Sequence, residues 1–269
     1  MLGRFPQLGN VVTRVGRGLR GGANACVRAG LDLLFPPRCA DCGEEMSDGA
    51  DGVLLCGDCR LLLGPERCTW CPRCGAIGVD QSVTPQGCPL CRDTRLAFDA
   101  VVPLGIYQDR LQEAVIQMKS RRGERLAAAM GQLLAQWRGQ QLAELGAQLV
   151  VPVPIHWTRR LQRAVNSPEV LAQCLGRHLG VPLRRRLLVQ TRPTALQSKL
   201  SPGQRFQNVR GAFGLRGKHH LEGACVLLVD DVLTTGATAS EAAKVLKQAG
   251  AARVVVAVLA RGQGATRRS

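Results

Sequence analysis

One pattern near the start of the chain is written twice. Residues 39–59 read CADCGEEMSDGADGVLLCGDC and residues 71–91 read CPRCGAIGVDQSVTPQGCPLC. Each is CxxCG, twelve residues, then CxxC, and the four cysteines of the first map onto the second with a constant offset of 32. Two CxxC turns can present four thiolates tetrahedrally to one zinc ion, and the glycine after each first pair lets the chain turn tightly around it. So short a ribbon buries little apolar surface, so the metal itself would hold it folded.

The offset selects the ligands: Cys39, Cys42, Cys56 and Cys59, then Cys71, Cys74, Cys88 and Cys91. It leaves Cys68 spare in CTWCPRC, and Cys26, Cys174 and Cys225 read as ordinary small buried residues. Two structural zinc ions are expected, since four sulfur ligands leave no open position for water. A redox CxxC, disulfides, or an interleaved pairing between repeats are the alternatives.

From Asp99 onward, strand and helix signals alternate. Residues 99–107 and 148–154 read as strands, 109–140 as helix broken near Gly123, and 167–180 as a helix with Ser167 as N-cap and Gly180 just past its end. Residues 224–231, 240–250 and 253–260 form a strand–helix–strand unit, which demands a parallel sheet. Ligands of such sheets bind at the carboxyl ends of the strands.

At that end stands VLLVDDVLTTGAT, residues 226–238. TTGAT opens a helix, so backbone N–H groups, the helix dipole and hydroxyls converge on a site for one phosphate. Two adjacent carboxylates, Asp230 and Asp231, would repel a polyphosphate laid along the same loop. They must face sugar hydroxyls, a metal ion, or both. Neither GxxxxGK[ST] nor a GxGxxG after a strand is present.

VLLVDDVLTTGAT resembles the phosphoribosyl-pyrophosphate (PRPP) signature of type I phosphoribosyltransferases. From LDLLFPPRCADCG (31–43) to VLAR (258–261) the chain resembles the ComF/GntX family, which joins a double zinc ribbon to such a domain. The resemblance implies an α/β fold with a parallel sheet, and that Asp230 and Asp231 hold the ribose hydroxyls. Thr234, Thr235, Gly236, Ala237 and Thr238 would cradle the 5′-phosphate, with Mg2+ bridging pyrophosphate and hydroxyls. Arg159 and Arg160 fall on the pyrophosphate side. Lys119 lies in a further matching stretch, and Gln197, Arg205 and Asn208 in a motif around a covering loop. One departure is RAVNS (163–167), where family members read RGFNQ. His156 lies near the site by position, and His219 and His220 precede the strand at the other end of the sheet.

The resemblance also implies a role in DNA uptake or the use of incoming DNA. The domain would then be either a phosphoribosyltransferase or a PRPP- or nucleotide-sensing module that binds single-stranded DNA or competence-machinery proteins. The formal net charge is +16, and residues 121–200 hold 13 Lys or Arg against 3 Glu. That imbalance favours contact with a polyanion, or else is an Arg-rich solvated surface. Arg184, Arg185 and Arg186 are the densest basic cluster there, and Trp137 and Trp157 the available stacking platforms. Five arginines interrupt residues 1–30 as a signal core, and no stretch reaches membrane-span length. A cytoplasmic protein without membrane insertion is expected, organised as 1–30 extension, 31–97 double zinc ribbon, 98–262 phosphoribosyltransferase-like domain and 263–269 tail.

Overall fold

A computed structural model describes residues 36–46, 52–66, 68–77, 84, 87–155, 165–195, 200–217 and 219–262. The chain divides into two compact units, Met1–Cys56 and Gly57–Ser269. In the first, Arg38 bridges Glu45, and Gly43 at φ 81 closes the turn after Cys42 by donating its N–H to the Cys39 carbonyl at 3.0 Å.

The second unit begins with helix α1 (Gly57–Leu63) and the second cysteine repeat, and is then built on four parallel strands. These are β1 (Ala100–Ile106), β2 (Leu149–Pro152), β5 (Cys225–Leu233) and β6 (Arg253–Arg261), in the order β1-β6-β5-β2. The two central strands read CVLLVDDVL and RVVVAVLAR, the continuous aliphatic runs expected of strands buried on both faces. Both outer strands carry a proline, Pro103 in β1 and Pro152 in β2. Residues 182–184 extend the β2 edge, where Val150 donates to the Pro182 carbonyl and accepts from the Arg184 N–H.

Helix α6 (Ala237–Gln248) makes the crossover from β5 to β6. Its Ala239, Ala242, Ala243 and Leu246 share one buried cluster with Val226, Leu228, Val254, Val256 and Val258, every second residue of the two strands. The other face receives α3 (Glu124–Glu144) and α4 (Ser167–Leu179), which pack closely: a Cβ on Gly131 would lie 2.9 Å from the Cys174 sulfur. Helix α2 (Asp109–Gln117) precedes α3, and the break between them ends at Gly123, whose Cβ would meet the Met118 carbonyl at 2.4 Å. Any side chain there would push the two helices apart. The N-cap of α4 is Asn166 rather than Ser167: the side chain of Asn166 donates to Glu169 Oε2 at 2.8 Å, and Ser167 is already helical and buried. Gly180 closes that helix in the left-handed region at φ 68, as expected.

A small hood, which the alternating pattern did not reveal, joins β3 (Leu188–Gln190) and β4 (Phe213–Leu215) as an antiparallel pair with helix α5 (Pro202–Val209) between them. Ser201 and Gln204 cap α5 reciprocally, and the N–H of Gly211 donates to Glu241 Oε1 on α6 at 2.8 Å. The hood is thereby tied to the crossover helix. Among the described residues no helix is long and apolar enough to cross a membrane.

Candidate functional site

The end of β5 is where the acidic pair stands. Asp231 is buried, 9% exposed, and its N–H donates to Asp230 Oδ1 at 2.9 Å. A carboxylate at that depth needs a countercharge. Lys119 supplies it from the α2–α3 break, with Nζ 2.8 Å from Asp231 Oδ2. That oxygen takes no hydrogen bond of regular geometry, so the contact is chiefly Coulombic. Met118, fully buried, anchors the turn that delivers Lys119.

Strand β5 runs two residues beyond the acidic pair, and after it residues 234–236 turn into α6. Gly236 adopts φ 81, and a Cβ there would lie 3.3 Å from Phe98 and 3.4 Å from Leu96. Thr235 Oγ1 accepts from the Ala237 N–H at 3.4 Å. The first turn of α6 contains no acidic residue, so its positive end is not neutralised from within. Ala237 and Thr238 lie inside this first turn, three residues earlier than the helix expected at 240.

Arg261, at the end of β6, was missed in the sequence. Its Nε donates to the Cys74 carbonyl at 2.8 Å and its Nη1 to the Leu233 carbonyl at 3.1 Å, as well as to the carbonyls of Thr234 and Gly262. Burial pushes the guanidinium pKa down, while the nearby thiols of Cys74, Cys88 and Cys71 favour its charge. The available signal was a cation closing the aliphatic run VVVAVLA. Ser240 was missed too; its Oγ accepts the Ala97 N–H at 3.0 Å. Asp99 binds the Val254 N–H and Lys247 Nζ, both at 2.7 Å.

Of the hood residues, Asn208 clamps Ala195, accepting its N–H at 2.9 Å and donating to its carbonyl at 3.1 Å, and Arg205 Nε donates to the Leu200 carbonyl at 3.0 Å. Both therefore hold the hood's own backbone. Arg159, Arg160, Gln197, His156 and Trp157 lie outside the described residues.

A cavity of about 1480 Å³ runs along the outer edge of β2, lined among others by Pro154, Arg184, Arg185, Arg186, Arg216 and His219. Asp230, Asp231 and residues 234–238 are not in its lining, so this cavity and the acidic strand end are separate features. Arg185 Nε is 3.4 Å from Glu169 Oε1.

The eight cysteines fall into two groups, each drawn from a single repeat and each with its sulfurs within 4.8 Å of one another. Sulfur separations are 3.7 Å for Cys42 and Cys56, 3.9 Å for Cys71 and Cys91, 3.7 Å for Cys74 and Cys88, and 3.8 Å for Cys88 and Cys91. Zinc with four thiolates at about 2.3 Å gives tetrahedron edges of ~3.8 Å, whereas a disulfide would bring sulfurs to about 2.05 Å. Both groups can hold zinc. Cys68 stands outside them, its sulfur donating to the Glu66 carbonyl at 3.7 Å. Burial pushes the thiols of Cys74 and Cys91 up, the latter to about 11. At Cys39 burial also raises the pKa, but the N–H groups of Cys42, Cys56 and Asp41 outweigh it and bring the thiol down to about 7.

Residues 169–269 match the family model of the phosphoribosyl transferase domain. The chain is 35% identical over 164 residues to the DNA utilization protein YhgH of Salmonella typhimurium, covering 60% of this chain and 71% of that protein. It is 36% identical over 115 residues to Competence protein F of Haemophilus influenzae, covering 42% and 50% respectively. Among solved structures, a purine phosphoribosyltransferase from Pyrococcus horikoshii aligns at a TM-score of 0.33 and 17% identity, over 60% of this chain and 78% of that one. With a type I phosphoribosyltransferase fold on a parallel sheet, preceded by two four-cysteine groups, the chain belongs to the ComF/GntX family.

Proposed function

We propose that the end of β5 binds PRPP. One observation carries this reading: two carboxylates stand two residues before the end of a central parallel strand, which leads through a short turn into a helix N-terminus with no acid in its first turn. The helix end suits a 5′-phosphate, taken by residues Thr234–Thr238. Asp230 and Asp231 suit ribose hydroxyls, and as hard oxygen donors they also suit Mg2+. Lys119 pairs with Asp231 until the sugar arrives. Arg159 and Arg160 would meet the pyrophosphate, and the segment with Gln197, Arg205 and Asn208 would cover the ligand.

The chemistry that follows is displacement at C1. The bond from C1 to the pyrophosphate oxygen breaks with its electron pair leaving on pyrophosphate, an acceptor lone pair forms the new bond, and the acceptor's proton passes to solvent. Magnesium bound with PRPP supplies neutralisation of the leaving group. Carboxylates next to C1 favour the cationic sugar through which the step passes. The same pocket without an acceptor would serve as a PRPP or nucleotide sensor. Titration calorimetry of PRPP with Mg2+ tests the reading: the native chain binds and the Asp230→Asn/Asp231→Asn protein does not. Equal binding by both, or none by the native chain, sinks it.

A second role is supported by the names of the relatives and by the arginines along the β2 cavity. The protein takes part in the use or uptake of DNA in the cytoplasm, contacting single-stranded DNA or competence-machinery proteins through this basic face. The two cysteine groups hold structural zinc, within a 31–97 ribbon domain ahead of a 98–262 phosphoribosyltransferase domain.

A further inference from the structure

Arg261 links two parts of the second unit that have no sequence proximity. Its guanidinium binds the carbonyl of Cys74 in the second cysteine group and the carbonyls of Leu233, Thr234 and Gly262 around the loop that leads into α6. The sulfur-bearing side chains of Cys74, Cys88 and Cys71 are the nearby groups that act on it electrostatically.

Peptide geometry gives this arrangement a direction. In a planar trans peptide the carbonyl and the following N–H point opposite ways. A guanidinium that draws in the Leu233 and Thr234 carbonyls therefore turns the N–H groups of Thr234 and Thr235 away from itself. Anion-binding turns work through such aligned N–H groups, and their affinity depends on the peptides being fixed before the anion arrives.

The other anchor of the same guanidinium is the cysteine group. Its four thiolates around a divalent zinc ion carry a formal charge of 2−, which holds a half-buried cation in place. Close packing supports the link: a Cβ on Gly75, next to Cys74, would lie 2.9 Å from Val101 and 3.4 Å from Arg261 Cδ. Without metal that fixed charge is lost, and the turn bearing the Cys74 carbonyl is left to its backbone bonds, such as the Gly75 N–H to the Cys71 carbonyl at 2.7 Å.

From these contacts we infer that Arg261 is a positioning residue for the phosphate loop, and that it makes anion affinity at residues 234–238 depend on the metal state of the Cys71/Cys74/Cys88/Cys91 group. The inference rests on the phosphate-site reading above. It assigns the second ribbon a task beyond its own folding.

The test uses the full zinc-loaded chain and ribose 5-phosphate, which carries the 5′-phosphate without pyrophosphate. Affinity, zinc content and hydrogen exchange in the peptide 231–240 are measured together. Arg261→Gln is expected to keep its zinc and weaken ribose 5-phosphate by about tenfold or more, with Arg261→Lys intermediate because one ammonium cannot span the four carbonyls. Cys88→Ser should lose one zinc, weaken the sugar phosphate to a similar degree, and add nothing further in the Arg261→Gln background. Exchange in 231–240 should speed up in all three, and Arg253→Gln at the opposite end of β6 should match the native chain. Unchanged affinity and exchange in a zinc-replete Arg261→Gln protein overturns the inference, as do effects of Cys88→Ser and Arg261→Gln that multiply independently. Should Arg261→Gln fail to fold, the Arg261→Lys and Cys88→Ser comparison decides alone. A native chain that binds no ribose 5-phosphate overturns the parent reading and this one with it, a result distinct from native binding that survives the substitutions.

Discussion

Lys119 and Asp231 approach to 2.8 Å although 112 residues of chain separate them, the lysine arriving from a helix break and the aspartate from the central strand. Their pairing makes the acidic strand end tolerable in a buried position before any ligand is present. Lys119→Met should therefore destabilise the chain by about 1–3 kcal/mol, the cost of leaving a largely buried charge unpaired. Lys119→Met/Asp231→Asn should recover part of that loss, as thermal unfolding of the zinc-loaded protein can check.

Gly236 stands at a left-handed φ under Phe98 and Leu96. Gly236→Ala is expected to cost about 1–2 kcal/mol from the backbone alone. Relief of the contact with Phe98 would displace the loop, so ribose 5-phosphate affinity should fall while zinc content stays at the native value.

Elemental analysis should find about two zinc ions per chain, by the rule of four thiolates to each ion. Cys39→Ser and Cys71→Ser should each lose one of them. Burial holds the Cys74 and Cys91 thiols up, so in the metal-free second ribbon both carry protons at neutral pH. Metal capture must expel these protons. Apparent zinc affinity should accordingly fall as pH is lowered from 8 toward 6, by about a decade per proton per pH unit, as competition with a colorimetric chelator would read.

Arg184, Arg185 and Arg186 line the cavity at the β2 edge and account for the DNA reading. If all three meet phosphates of a single strand, replacing them with glutamate should flatten the log–log salt dependence of binding by roughly 2. Fluorescence anisotropy of a labelled oligonucleotide across a salt series measures this directly. Unchanged slope and affinity would remove this face from consideration.

Much of the site was legible because it is local in sequence. Asp230, Asp231 and Thr234–Thr238 fall within nine residues of chain, and a strand-to-helix transition fixes where such residues must lie. The two four-cysteine groups were legible because a repeat offers two readings of the same geometry, which left Cys68 aside. What the sequence hid is long-range. Nothing near Lys119 announces Asp231 as its partner, and nothing near Arg261 announces Cys74. The hood was hidden for another reason: β3 and β4 have three residues each, too few to show a period of two.

The prolines of the two outer strands have a consequence for life in a crowded cell. Pro103 and Pro152 each remove an N–H from a border of the sheet, and Arg138 Nε already occupies the Pro103 carbonyl at 2.9 Å. A sheet whose centre is as sticky as VVVAVLA therefore meets at each border a proline that interrupts the row of donors a further strand would need, and residues 182–184 already cover Val150 beside Pro152. The aliphatic core can be that rich without inviting neighbouring chains to extend it into an aggregate.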